Sequence, residues 1–264
     1  MNTQISFKQF DTNLQFSQLE NVDEALACSR GQNPSMRHGL TTSGWLLGLN
    51  GLHIGEDLRL FPGSNVIGSS ARCHVVLTAP GVGRQHAIID VLSGESALLQ
   101  PGSTQRELFL NDLACTASAP LCHGDVIRIG EQNFAYIALL PSRNDEQTTI
   151  IFKERFPTRG TCTLGWLVEL AGDRVGRDFR LIQGENRIGS QRGLEVVLFD
   201  PEIQPRQAVI TRHSDNWIIV PVSVSDPVFV NGVPSTGTGL HNGDIVRLGQ
   251  REFLFRCLKV GFAK

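Results

Sequence analysis

The side chains able to do chemistry in this chain are few, and their spacing points to recognition, not catalysis. Seven histidines are scattered without a nucleophile at any recognised spacing. No G-x-S-x-G, HExxH, P-loop or paired Cys/His arrangement occurs. The six cysteines (Cys28, Cys73, Cys115, Cys122, Cys162 and Cys257) contain no CxxC pair, which argues against a zinc centre or a disulfide framework. No enzymatic activity, metal or cofactor is therefore expected. Two sets of residues remain. Arg72, Arg84 and Arg106, with Ser69 and Ser70, offer guanidinium forks and hydroxyls, the groups that hold phosphate by charge-assisted hydrogen bonds. Thr148 and Thr149 follow Asp145-Glu146-Gln147 and precede Ile150-Ile151-Phe152. A phosphate on either threonine would add about −1.5 to −2 charges and three acceptor oxygens. Solvated loop charge and a linker running into an edge strand are the plainer accounts of these residues.

What must position those side chains is a paragraph of sequence that occurs twice. Gly44-Trp45-Leu46-Leu47 returns as Gly165-Trp166-Leu167-Val168, and Asp57-Leu58-Arg59-Leu60 as Asp178-Phe179-Arg180-Leu181. Asn65 to Ser69 returns as Asn186 to Ser190, and Gly124 to Gly130 as Gly243 to Gly249. A period of about 120 residues is far too long for a solenoid unit, so each copy is a domain. The expected organisation is an N-terminal arm over 1–43, one domain over 44–140, a linker over 141–164 and a second domain over 165–260. Within each copy, short runs rich in Val, Ile and Leu are separated by Gly, Pro, Ser and Asp, without an intervening helical period. That texture predicts an all-β fold of two consecutive antiparallel sandwiches. In the arm, Asn21 can cap a short helix that Gly31 ends, with Phe7, Phe10 and Leu14 upstream at helical spacing. The polar linker would let the domains move unless they share an interface, which burial of the arm's apolar residues or of each domain's own surface would favour.

Charge is balanced, 24 basic against 26 acidic, so no bulk field draws the chain to nucleic acid. No apolar run of 18 residues and no signal-peptide pattern occurs. No membrane insertion and a cytoplasmic location are the corresponding expectations.

In order along each copy, the pattern I-G-x-S, then R-x-H-A-x-I, then F-x-N, then L-x-x-G-D-x-I-x-I-G resembles the forkhead-associated (FHA) domain. The first copy carries it in Ile67-Gly68-Ser69-Ser70, in Arg84-Gln85-His86-Ala87-Ile88 and over Leu121 to Gly130. The resemblance implies an eleven-stranded sandwich whose loops at one end recognise phosphothreonine peptides. It also implies a phosphate held by an arginine after the first glycine, a serine two before the motif histidine, and an asparagine. Here the arginine position is Ser69 in one copy and Ser190 in the other, and the serine position is Gly83 or Gln204. The asparagine is missing as well, with Gln105-Arg106 or Asp226-Pro227 in its place. By the same resemblance, Gly68, His86 and Gly189 are loop-structural residues, and Asn111 and Asn231, before Asp112 and Gly232, are loop-structural hairpin-turn residues first and peptide contacts second. Candidate phosphopeptide contacts in the first copy are Ser69, Ser70, Arg72, Arg84 and Arg106. The segment around Thr148 and Thr149 is similar to stretches that a Ser/Thr kinase targets beside FHA domains.

The leading functional expectation is a tandem FHA-like adaptor joining protein partners, some of them threonine-phosphorylated, in a signalling or assembly pathway, with phosphothreonine recognition weakened or lost. The alternative is a phosphate-independent structural subunit of a larger machine such as a bacterial secretion system.

Overall fold

The computed structural model describes residues 41–92, 96–104, 106–140, 148–152, 162–171, 174–223 and 226–262. All of them belong to one compact unit, Gly39–Lys264. The helical arm expected over 1–43 lies outside the described residues except for its last three positions.

Strands with alternating side chains settle where one face meets a core and the other meets water. Ala87–Val91 alternates buried and half-buried positions in this way, and Asn216–Pro221 repeats the alternation in the second copy. Each copy becomes a sandwich of one six-stranded and one five-stranded sheet. In the first, the larger sheet runs Asp57–Leu60, Gly44–Gly48, Gln132–Ala138, Val126–Ile129, Leu108–Leu110, Leu113–Ala114. The smaller runs Val75–Val76, Gly63–Gly68, Ala87–Val91, Ala97–Pro101, Ala119–Leu121. The second sandwich repeats both strand orders, from Asp178–Ile182 to Val233–Ser235 and from Val196–Val197 to Thr238–Leu240. Almost entirely antiparallel pairing agrees with the fold expected from the repeat, and eleven strands per sandwich with the one the resemblance implies. Among the described residues the sole helical element is a single 3₁₀ turn, Gly51–His53.

The segment 141–164, expected as a linker, is not all connection. Thr149–Phe152 forms a strand in parallel register with Lys259–Phe262 at the end of the chain. Its inward residues Ile150 and Phe152 join the main core. This attaches the connection to the second sandwich.

Three strands break the alternation: Gly44–Gly48, Gln132–Ala138 and Thr163–Glu169 are buried at every position. One face of the first of these sheets, with Leu46, Phe134 and Tyr136, fills its own sandwich. The other face, with Trp45, Leu47, Ala135 and Ile137, is continuous with the core of the second copy. The two tryptophans therefore do not fill the cores of their own domains. They stack on each other between the domains, with centroids 4.4 Å apart and planes 16° from parallel.

Around that stack the contacts are reciprocal. Trp166 Nε1 donates to Asp57 Oδ2 at 2.9 Å, and Trp45 Nε1 donates to Asp178 Oδ2 at 3.3 Å. Thr163 Oγ1 donates to Asp57 and Thr42 Oγ1 to Asp178, each at 3.0 Å. Arg180 pairs with Asp57 and Arg59 with Asp178, each at 2.7 Å. The backbone amides of Thr163 and Thr42 donate to the carbonyls of Gly55 and Gly176, each at 3.1 Å. Every residue maps onto its counterpart by the same offset, so the seam is an approximate two-fold within one chain. Burial pushes the Asp57 carboxyl above the ordinary carboxylate range, and the neighbouring Asp178 adds to this. The Trp166, Arg180 and Thr163 groups oppose it. With a raised folded value, Asp57 takes up its proton before it would in the unfolded chain. Its titration therefore adds stability as pH falls and removes it as pH rises through that value. Mild acid does not unlock the seam through Asp57.

Candidate functional site

At one end of the first sandwich three loops are tied together by backbone. The turn after Gly63–Gly68 is anchored when Ser69 N donates to Gly83 O at 2.9 Å and Ser70 N donates to Arg84 O at 3.2 Å. Cys73 Sγ also reaches the Arg84 carbonyl, at 3.1 Å. Arg72 N donates to Ser70 Oγ at 3.3 Å. Gly68 has no room for a side chain, since a Cβ there would lie 2.5 Å from Arg84 O and 2.7 Å from Gly83 O. The third loop crosses above: Thr104 Oγ1 donates to Gln85 O at 2.8 Å, and Ser103 Oγ donates to Gln85 Oε1 at 2.8 Å. The five candidate contacts named from sequence thus converge on one apex. Arg72, Arg84 and Arg106 are exposed there, and none is in an ion pair among the described residues.

Position 83 decides much of what this apex can do. A Cβ on Gly83 would collide with Thr104 Oγ1 and come within 3.0 Å of Arg106 Cγ. The hydroxyl and the arginine stem occupy the space that a serine at 83 would use, and Arg106 reaches the apex from a different loop. Thr104 was not named from sequence. Its one signal was the short Gly102-Ser103-Thr104 turn facing Gly83.

His86, buried beneath these loops, accepts from Gly83 N at 3.0 Å through Nδ1 and meets Glu107 O at 2.9 Å through Nε2. It is a strut between two loops. The second copy makes the same strut from an amide: Gln204 N donates to Gln207 Oε1 at 2.9 Å, and Gln207 Nε2 donates to Asp226 O at 3.1 Å. Replacement of His86 by Gln207 therefore keeps the loop geometry. The phosphate set itself is replaced. Ser190 Oγ turns back onto Ile203 O at 2.9 Å, and Gln204 Nε2 is taken by the Asp226 carboxylate at 3.3 Å. A carboxylate at this apex repels a phosphate.

Burial lowers the His86 pKa, the Glu107 carbonyl opposes this, and the Arg106 guanidinium adds to the lowering. The unfolded chain therefore binds this proton first, and stability falls as pH drops below about 6.5. His86→Gln, which copies the second sandwich, should flatten the decline in melting temperature between pH 7 and pH 5. An unchanged slope would mean that His86 is not the group responsible.

Asn111 and Asn231 sit at positive φ (50° and 51°) in the hairpins. Each clamps its turn: Asn111 Nδ2 donates to Asp125 at 2.8 Å and Asn231 Nδ2 to Asp244 at 2.8 Å. The Asn111 and Asn231 side-chain oxygens accept from Val126 N and Ile245 N, each at 2.9 Å. In the connection, Thr149 is exposed and Thr148 half-buried. The Thr148 methyl fills the space that a Cβ on Gly124 would take.

Among the described residues no helix is long and apolar enough to cross a membrane. The curated relative called oxoglutarate dehydrogenase inhibitor, from Corynebacterium jeikeium (strain K411), is 28% identical over 89 residues, 34% of this chain. The chain spans 62% of that relative's length. An FHA domain solved in a study of phosphothreonine-dependent FHA interactions is 26% identical, with TM-score 0.33, covering 36% of this chain and 96% of its own. The FHA domain of an Arabidopsis thaliana hypothetical protein is 23% identical, with TM-score 0.35, covering 42% of this chain and 99% of its own. One family model matches twice, over residues 48–138 and again over 169–258, which is the repeat itself. Those two segments make up more than half of the sequence, and the chain belongs to the family described as the inner membrane component of T3SS, cytoplasmic domain.

Proposed function

We propose that this chain is a cytoplasmic, non-enzymatic adaptor that works as a structural subunit of a secretion-type assembly. It joins protein partners through a pair of FHA-like sandwiches packed on each other. Phosphothreonine recognition is lost from the second copy and weak in the first. The observation that carries this reading is the apex at Gly83, where Thr104 and Arg106 stand in the space of the missing serine while Ser69 replaces the usual arginine. Membership of the secretion family supports an assembly role, and three exposed arginines on one apex support residual affinity for phosphate. A charge-assisted hydrogen bond contributes about 1.5–3 kcal/mol, so losing the usual arginine weakens binding by roughly one to two powers of ten. Titration of the whole chain with matched phosphothreonine and unmodified peptides is the test. A weak preference for the modified form, abolished by Arg84→Ala and unaffected by changes at Gln204, is expected. Binding that ignores Arg84 or resides in the second copy would overturn the assignment.

Thr148 and Thr149 remain the candidate phosphosites of a Ser/Thr kinase. Exposure of Thr149 supports it as the first to be modified, once its strand leaves the pairing with Lys259. Thr148 packs beside Gly124, in the turn between Leu121 and Val126 at the end of the first sandwich away from the apex, so capture of a phosphate there by the first apex requires the connection to leave the sandwich. Mass mapping after incubation with a Ser/Thr kinase from the same cell should find Thr149 modified. A chain left unmodified at both threonines removes this element.

A further inference from the structure

The seam between the sandwiches is built from one patch used twice, and that has a consequence for association between chains. Each copy presents a threonine (Thr42 or Thr163), a tryptophan (Trp45 or Trp166), an aspartate (Asp57 or Asp178) and an arginine (Arg59 or Arg180). In each contact the donor on one copy meets the acceptor on the other, and the same contact is made in reverse. A surface whose donors and acceptors complement an equivalent surface through a two-fold is self-complementary, as in an isologous dimer. The fit does not depend on the two patches belonging to one chain.

We infer that the Thr-Trp-Asp-Arg patch is a self-recognition surface whose second partner is the same patch on another copy of this chain. The seam then has two ways to close. Within the chain it is favoured by the tether, which holds the patches at roughly millimolar effective concentration. Between chains it joins two protomers through their first sandwiches, with Trp45 stacked on the partner's Trp45 and each Asp57 receiving the partner's Arg59. A structural subunit with such a surface has a closed, monomeric form and an open, assembling form. The inference does not rest on phosphate binding, and it stands whether or not the first apex takes a phosphopeptide.

The two patches are not equal as self-partners. Beside Trp166 the second copy places Arg256, which is 1% exposed and donates through Nη2 to Ala138 O at 2.9 Å across the seam. At the matching position beside Trp45 the first copy has Ile137. A pair of second copies would bring two buried guanidinium groups to the seam, whereas a pair of first copies brings two isoleucines. Burying like charges together is unfavourable, so the first sandwich is the better self-partner.

The test disables one patch in the full chain and measures molar mass in solution. Asp178→Arg sets a cation against Arg59 and removes the acceptor of Trp45, which leaves the first patch intact but without its internal partner. The expected result is a doubling of the molar mass from 28.9 kDa, reversed to monomer when Asp57→Arg is added. Asp57→Arg alone, which exposes the second patch, should associate at least tenfold more weakly. Gly176→Glu is an independent way to open the seam, because a side chain at Gly176 collides with Thr41. It should also give a dimer. A folded monomer from both Asp178→Arg and Gly176→Glu overturns the inference. Loss of the β-sheet signal in both overturns it as well, since a patch that cannot open without unfolding the chain is core and not a docking surface.

Discussion

Trp166→Ala should be among the most damaging single substitutions in this chain, although the residue belongs to neither a catalytic nor a ligand-binding set. Truncating a fully buried tryptophan costs about 3–5 kcal/mol, which for a chain of this size lowers the melting midpoint by on the order of 10 °C. Trp166 is 0% exposed and stacks on Trp45, so its removal leaves a cavity against the partner ring. It also takes a donor from Asp57, whose carboxylate is buried and relies on Trp166, Thr163 and Arg180. Asp57→Ala should cost a comparable amount, because breaking a buried, hydrogen-bonded pair from one side strands its partners. The effects should not add. Once Trp166 is gone the stack is already lost, so Trp45→Ala in that background should cost about 0.5–3 kcal/mol less than it does alone. Melting curves of the two single variants and the double variant measure this directly. A Trp166→Ala chain that melts within a degree or two of wild type would mean that the sandwiches do not depend on their seam.

Gly68→Ala and Gly189→Ala should be the second pair of large effects, this time at the apices. Neither glycine is needed for an unusual φ; the constraint is space. A Cβ on Gly68 meets the carbonyls of Arg84 and Gly83, and one on Gly189 meets the carbonyl of Pro205. Both obstacles are backbone held by hydrogen bonds from the very turn that would have to move: Ser69 and Ser70 in one copy, Ser190 and Gln191 in the other. Forcing a methyl into such a site costs about 1–3 kcal/mol or more. In the first copy it also separates Ser69 and Ser70 from Arg84, so any phosphopeptide preference should vanish along with the stability. Gly63→Ala is the control. A Cβ there meets nothing within 4 Å, and only the φ of 77° opposes it, a strain of about 1 kcal/mol. If all three alanine variants lose the same stability, crowding at the apex is not what Gly68 and Gly189 relieve.

Much of this molecule was legible in its residues. The repeated paragraph and the short aliphatic runs led to two all-β sandwiches because strand formation and turn chemistry are local: alternation selects a half-buried strand, and Asn111, Gly124 and their counterparts shape the hairpins wherever they stand. The substituted phosphate positions were also readable, since a guanidinium that is absent cannot be restored by folding. A further signal was present in Trp45-Leu46-Leu47, Phe134 to Leu140 and Leu164 to Val168, runs that do not alternate and so require cover on both faces. Beside them, Asp57 with Arg59 and Asp178 with Arg180 hold charges at matching positions of both copies. Which surface gives that cover is a different kind of fact. Residues 121 positions apart meet across the seam, and nothing local distinguishes a tryptophan that fills its own sandwich from one that stacks on its counterpart. The same limit hid Gln207, whose amide replaces an imidazole only because two loop backbones stand at the right separation, and the parallel pairing of Thr149–Phe152 with the chain's last strand. The elements, their repetition and the chemistry missing from the apices follow from residue identity and local spacing. Which repeated surfaces face each other was settled only in the tertiary structure, because complementarity between distant groups exists only once both are held in place.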